Sequence, residues 1–318
     1  MTGHTDVVIG VDIGGTNTAL GFVDESGNCL VETSFPTNAR EPADVFVPRL
    51  HEQIERLNKS VPGIILKGIG IGAPNGNYYR GTVENTPNLS WKGVVPLAAM
   101  VNELYNVPVA ITNDANAAAL GEMKFGAAKG MKDFIVITLG TGLGSGIVVN
   151  GEVVYGSTGF AGEIGHTIVD PNGRQCGCGR KGCLETYASA TGIRTTVKEL
   201  LGKSDRQSEL RNIPAEDLSA KQIADAAQRG DALAREAFEF TGKILGFKLA
   251  DSVAHTSPEA IILFGGLAAA GELIFEPTRR HLESNLLNIF QGTVKLLPSQ
   301  LQERNAAVLG ASALVWTR

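Results

Sequence analysis

One histidine and three cysteines stand close together in the middle of the chain: His166, Cys176, Cys178 and Cys183, with nine, one and four residues between successive members. Thiolates and an imidazole are the donors zinc prefers, and a Cys3His set fills a tetrahedral shell with no position left for a reactive water. The chemistry expected here is therefore structural. Gly173, Gly177, Gly179 and Gly182 let the loop fold around an ion. Imidazole has two nitrogens, so a zinc-bound His166 keeps a second one for another partner. Glu163 lies three residues before it and Glu185 two residues after Cys183.

A second group has the makings of a hydroxyl-recognition site. Every sugar hydroxyl is a donor that needs an acceptor, and Asn88, Asn113, Glu163 and Glu185 are suitable acceptors. Asp114 opens an Ala-rich segment. Taken alone it reads as a helix N-cap, a common task for Asp. Beside phosphate-binding turns it reads as the carboxylate that takes a hydroxyl proton during phosphoryl transfer. Paired carboxylates are also the signature of a glycosidase, but that reading leaves the glycine turns without a purpose.

Three such turns each follow an apolar run: Gly14-Gly15-Thr16-Asn17, Gly140-Thr141-Gly142-Leu143-Gly144, and Gly265-Gly266. Glycine allows close backbone approach, and consecutive N–H groups form nests for anions. Asp12 precedes the first turn. A carboxylate facing phosphate needs a cation between, so Asp12 is expected to act on Mg²⁺ through water. Other phosphate motifs fail. A strand follows the alternating Gly140, Gly142, Gly144 and Gly146, where a dinucleotide fingerprint needs a helix, and Val197 occupies the first glycine of a P-loop ending at Gly202-Lys203-Ser204.

These residues need elements to hold them. Val7 to Val11 is a buried-strand pattern, followed by a glycine turn, a strand at Thr18 to Val23 and a third at Cys29 to Glu32. A helix over Pro42 to Asn58, a strand in LKGIGIGAP, a helix over Pro96 to Tyr105, the strand PVAITN and a helix from Asp114 come next. The pattern then restarts at FIVITLGTGLGSGIVVNGEVV. A shift of 126 positions lays Gly14 on Gly140 and Val23 on Val149, and Asn150-Gly151 is a hairpin turn. The duplication predicts two similar α/β domains. Helical periodicity continues over Ser219 to Gln228 and Ala232 to Val253, then the strand AIILF, a helix, and a closing small-residue helix.

Composition bounds the rest. The chain has 318 residues, room for two domains, with 43% hydrophobic and 19% charged residues and a net charge of -5. That charge offers nucleic acid no basic surface. No apolar run is long enough for a membrane span, and no leader pattern opens the chain, so a cytoplasmic protein is expected. Cys29, the fourth cysteine, stands alone in a strand pattern.

DIGGTN, NDANAAALGE, LGTGLGSGIVVNG, GEIGHT, CGCGRKGCLET and LFGGL, in that order, resemble the ROK family of bacterial sugar kinases and related repressors. The resemblance runs from about Asp6 to the C-terminus. It implies two duplicated actin-like (ribonuclease H-like), hexokinase-like α/β domains with an active-site cleft between them. The domains are expected at 1–113, completed by a C-terminal helix at 304–318, and at 114–303 with a zinc loop at 166–183. It implies phosphate contacts from Gly14, Gly15, Thr16, Asn17, Gly140, Thr141, Gly142, Gly144, Gly265 and Gly266, and Asp12 is counted with this ATP site through its expected Mg²⁺. Asp114 matches the catalytic base, Asn88, Asn113, Glu163, His166 and Glu185 the sugar ligands, and His166, Cys176, Cys178 and Cys183 the zinc ligands. Homodimers or homotetramers are implied as well. GAPNGNYY replaces the loop common in the family, which places Asn75 near the sugar. Repressors of the family carry a helix-turn-helix ahead of the first glycine motif, for which about five residues leave no room. The expected activity is transfer of the ATP γ-phosphate to a hexose, glucose first, with fructose, mannose or an N-acetylhexosamine as alternative acceptors and a non-catalytic sugar sensor as the alternative function.

Overall fold

The computed structural model describes residues 4–86, 88–301 and 306–317. The chain divides into two compact units, one of Met1–Met131, Val153–Gly162 and Gln300–Arg318, the other of Lys132–Glu152 and Glu163–Ser299.

The first unit is built from β1 (Thr5–Ile13), β2 (Asn17–Asp24), β3 (Cys29–Pro36), α1 (Ala43–Asn58), β4 (Ile64–Gly72), the short β5 (Gly76–Asn77), β6 (Thr82–Glu84) and β7 (Val94–Val95), α2 (Leu97–Asn102), β8 (Val109–Thr112) and α3 (Asp114–Phe125). Its main sheet has the order β3-β2-β1-β4-β8. β1 runs antiparallel to β2 with Ile13 opposite Thr18, and parallel to β4. A strand with helices on both faces needs apolar residues on both. Val7, Val8, Ile9, Val11 and Ile13 are accordingly all buried.

The second unit repeats the plan. β9 (Phe134–Leu139), β10 (Leu143–Val149), β11 (Glu152–Val153), α4 (Ala190–Lys203), α5 (Ala220–Gln228), α6 (Ala232–Thr256), β12 (Ala260–Phe264), α7 (Glu272–Asn285) and β13 (Lys295–Pro298) follow in turn. The sheet order is β11-β10-β9-β12-β13. β9 pairs antiparallel with β10 and parallel with β12, and β12 pairs parallel with β13. Position for position this is the first sheet again, as the 126-residue repeat predicts. Phe134, Ile135, Val136, Ile137 and Leu139 are fully buried, and Ile135, Ile137 and Leu139 share one core with α6 and its neighbours.

The chain returns to the first unit as α8 (Ala306–Trp316). Residues 304, 305 and 318 of the expected closing segment lie outside the described residues. A Cβ on Gly10 of β1 would overlap the Val308 carbonyl oxygen, so α8 lies directly on the sheet. Asp114 was expected to open the second domain, whereas α3 lies in the first unit and the break follows Met131. Gly121 of α3 packs on Gly310 of α8, and both helices belong to the first unit. No helix among the described residues is long and apolar enough to cross a membrane.

Candidate active site

In the first unit, β1 ends at Asp12 and Ile13 and turns at Gly14 into β2. The turn closes on itself through the Gly14 N–H to the Asn17 carbonyl, 3.0 Å. Gly15 and Thr16 are exposed, and their N–H groups meet no hydrogen-bond acceptor among the described residues. A Cβ on Gly15 would stand 3.4 Å from Asn88, so this turn and an expected sugar ligand are neighbours.

The head of α3 resolves what Asp114 does locally. Asn113, not Asp114, is the N-cap, its Oδ1 accepting the Asn116 N–H at 2.7 Å. Asp114 is the first helical residue, and its Oδ1 accepts the Ala115 N–H at 2.9 Å. The cap reading of Asp114 is thereby replaced, and its carboxylate stays available. Asn113, with its oxygen committed, offers a ligand its amide N–H groups.

Asp12 and Asp114 converge beside Gly72, where a Cβ would stand 3.7 Å from Asp12 Oδ1 and 3.9 Å from Asp114 Cα. Burial first, and the Asp114 charge second, push the Asp12 carboxyl up to about 7. Crowding by surrounding protein pushes Asp114 upward too, against the Ala115 N–H that lowers it. Its side chain still reaches water, which tempers that rise. A raised carboxyl is a better base near neutral pH.

Asn75 sits at φ 53° and donates its amide to the Glu84 and Asn85 carbonyls at 2.9 and 3.2 Å. Its remaining oxygen is what it can present. The rest of this loop is held from below. Buried Asn77 donates to the Thr158 carbonyl at 2.8 Å, and the Tyr78 ring stacks on Tyr155 at 4.2 Å.

In the second unit, the Gly140 N–H bonds the Gly142 carbonyl, closing a turn like the first. So of the residues expected at phosphate, Gly140 has a protein partner for its N–H, and so does Gly144, whose N–H goes to Thr138 Oγ1 at 3.1 Å. The neighbouring Leu143 N–H goes to Glu185 Oε2 at 3.0 Å. The N–H groups of Thr141 and Gly142 meet no acceptor among the described residues. Leu143 is a junction. Gly165 packs on its carbonyl, and the Ile164 N–H bonds Ser145 Oγ at 3.1 Å, which seats the Glu163–His166 turn on β10. Gly265 adopts φ 99° at the end of β12, beside the Leu139 backbone, and Gly266 is exposed.

The four donor atoms of His166, Cys176, Cys178 and Cys183 lie within 4.8 Å of one another. Cys176 Sγ is 3.7 Å from His166 Nδ1, and Cys178 Sγ is 3.6 Å from Cys183 Sγ. Metal–sulfur bonds of about 2.3 Å in a tetrahedron put neighbouring donors about 3.8 Å apart, so the set fits a zinc ion. The Arg180 backbone N–H holds the Cys178 thiol down to about 6, while burial pushes Cys183 up to about 12. With Nδ1 toward the ion position, His166 Nε2 is the nitrogen left over. Glu185 Oε1 lies 3.8 Å from Cys176 Sγ, so one carboxylate touches both the metal loop and the glycine turn.

Arg174 is a residue that sequence spacing does not single out. It pairs with both Glu199 oxygens at 2.9 and 2.8 Å, bonds the Thr186 and Gly192 carbonyls, and lies 4.6 Å over the Tyr187 ring. It clamps the metal loop to α4. A lone Arg among glycines carries no signal; only the folded partners identify it.

A family model described as "ROK family" matches residues 8–318. A glucokinase of Halalkalibacterium halodurans is 36% identical over 88% of this chain and 86% of its own length. A xylose repressor of Caldicellulosiruptor bescii is 33% identical over 97% of this chain and 77% of its own. The crystal structure of a ROK family glucokinase from Streptomyces griseus in complex with glucose and AMPPNP superposes with a TM-score of 0.80 at 35% identity, covering 98% of this chain and 100% of that one.

Proposed function

The chain belongs to the ROK family, and from that premise we propose that it is an ATP-dependent hexose kinase that phosphorylates glucose on its 6-hydroxyl. One observation carries the reading: Asp114 stands at the head of α3 with the capping done by Asn113, next to Asp12 and in the unit that holds the first glycine turn. Likeness to a glucokinase whose structure holds glucose and an ATP analogue supports the donor and the acceptor.

Asp114 accepts the hydrogen of the sugar hydroxyl and aims its oxygen at the γ-phosphorus. As the new O–P bond forms, the proton passes to the carboxylate and the β–γ bridge oxygen leaves with ADP. Asn75, Asn88, Asn113, Glu163, His166 Nε2 and Glu185 hold the remaining hydroxyls. The N–H groups of Gly15 and Thr16, of Thr141 and Gly142 and of Gly266 stabilise phosphate charge. Asp12 is the group to hold, through water, a Mg²⁺ that enters with the nucleotide and neutralises its phosphates. His166, Cys176, Cys178 and Cys183 would hold a zinc ion whose contribution is to fix the loop that carries Glu163 and Glu185.

Release of ADP over a panel of hexoses, with and without Mg²⁺, tests this. Glucose is expected to give the highest kcat/KM, and Mg²⁺ to be required. Sugar binding with no sugar-dependent ADP release would favour a sugar sensor, the reading that the likeness to a xylose repressor supports.

A further inference from the structure

We propose that Thr37 is a positioning residue for the glycine turn between β1 and β2, and through it for the ATP phosphates, an inference that rests on the kinase reading above. Thr37 follows the last residue of β3 and is 2% exposed. Its N–H donates to the Thr16 carbonyl at 2.9 Å. Its hydroxyl donates to the Gly14 carbonyl at 2.8 Å. That hydroxyl has one hydrogen, so in the 2.9 Å contact between Thr18 and Thr37 it is Thr18 that donates. Three contacts from one buried side chain and its N–H thus end within residues 14–18.

The consequence follows from peptide geometry. Across a planar trans peptide the C=O of one residue and the N–H of the next point in opposite directions. Drawing the Gly14 carbonyl toward Thr37 turns the Gly15 N–H away from it, and Gly15 is exposed. Holding the Thr16 carbonyl as well fixes the peptide planes on both sides of Thr16. Thr37 therefore faces the Gly15 N–H outward and sets the turn in which an anion nest forms.

Thr37 is itself held. Arg49 Nη2 of α1 donates to its carbonyl at 2.6 Å. Arg49 Nη1 pairs with Glu41 at 2.7 Å, and the guanidinium carbon lies 5.6 and 5.9 Å from the Phe35 and Phe46 ring centres. The charged fork is seated between aromatic rings, which fixes where Thr37 can lie.

Thr37→Val keeps the branched shape and deletes the hydroxyl; Thr37→Ser keeps the hydroxyl. The measurements are the dissociation constants of a Mg²⁺-loaded, non-hydrolysable ATP analogue and of glucose, with KM for ATP and kcat alongside. Thr37→Val is expected to weaken the analogue and raise KM for ATP about tenfold, with glucose affinity within about twofold of the parent. Thr37→Ser is expected to restore the analogue. An analogue constant in Thr37→Val within about twofold of the parent, or glucose weakened equally, overturns the proposal. Should Thr37→Val fail to fold, Arg49→Lys decides instead: the analogue weakened at least about threefold with glucose unchanged supports it, and no change overturns it. A parent protein that transfers phosphate to no hexose refutes the kinase reading, while the analogue comparison still judges Thr37.

Discussion

The first and second units share a strand order and a glycine turn in the same place, yet the two turns are braced differently. Between β1 and β2 the brace is Thr37, a neutral side chain at the end of β3 that answers to α1 through Arg49. Between β9 and β10 it is the Glu185 carboxylate, which also lies against Cys176 of the metal loop. The first turn is thus held from its own unit, whereas the second is held from a residue beside a loop that a metal ion would order. Two sheets of one strand order thus carry different additions: the first unit holds Asp12 and Asp114 side by side, and the second holds the His166, Cys176, Cys178 and Cys183 cluster beside Glu185.

Five substitutions probe that division. Asp114→Asn should lower kcat about 10³-fold, while metal content and KM for ATP stay near the parent values. A kcat within tenfold of the parent would take the chemistry out of the first unit. Cys183→Ser should lose the metal and weaken glucose roughly 10- to 100-fold, read by metal analysis and titration calorimetry. Unchanged glucose affinity in the metal-free protein would separate the loop from the sugar.

Gly142→Ala sharpens the contrast between braces. Its Cβ would overlap the Glu185 carboxylate, whereas a Cβ on Gly140 meets nothing within 4 Å. Thermal unfolding should show a cost of about 1–3 kcal/mol for Gly142→Ala and far less for Gly140→Ala. Equal costs would deny Glu185 its bracing position. The smallest expected effect concerns pH. The folded protein holds Asp12 at about 7 against an ordinary 3.8. A carboxyl raised by folding stabilises fully below its unfolded value, and that contribution is lost as pH rises through about 7. Asp12→Asn, with no ligand bound, should therefore gain Tm over the parent at pH 8 relative to pH 5, on the order of 2 °C. A difference in Tm that does not change with pH would contradict the strained pair.

Much of this was legible in the residues. The repeated strand–turn–strand unit is a local pattern, and it reappears as two sheets of one order. The cysteine and histidine spacing is equally local, and the donors do converge. Legibility fails where function rests on partners distant in sequence. Thr37 is an ordinary threonine after a strand until the fold brings Gly14 and Arg49 to it. Asn113 and Asp114 are both good caps, and only backbone geometry assigns the task to Asn113. The sequence reading names no element between Glu185 and Ser219, where α4 forms. Gly192, Thr195, Thr196 and Gly202 are weak helix formers, and burial of Ile193, Thr196 and Val197 on one face overrides them. The two- and three-residue strands β5, β6 and β7 are too short to carry a period.

The central claim meets its most direct test in the fate of the γ-phosphate. Incubated with γ-labelled ATP, Mg²⁺ and glucose, the protein should form labelled glucose 6-phosphate in amounts equal to ADP, and the Asp114→Asn protein should form almost none. ADP released without labelled sugar, or equal labelling by both proteins, would contradict the account.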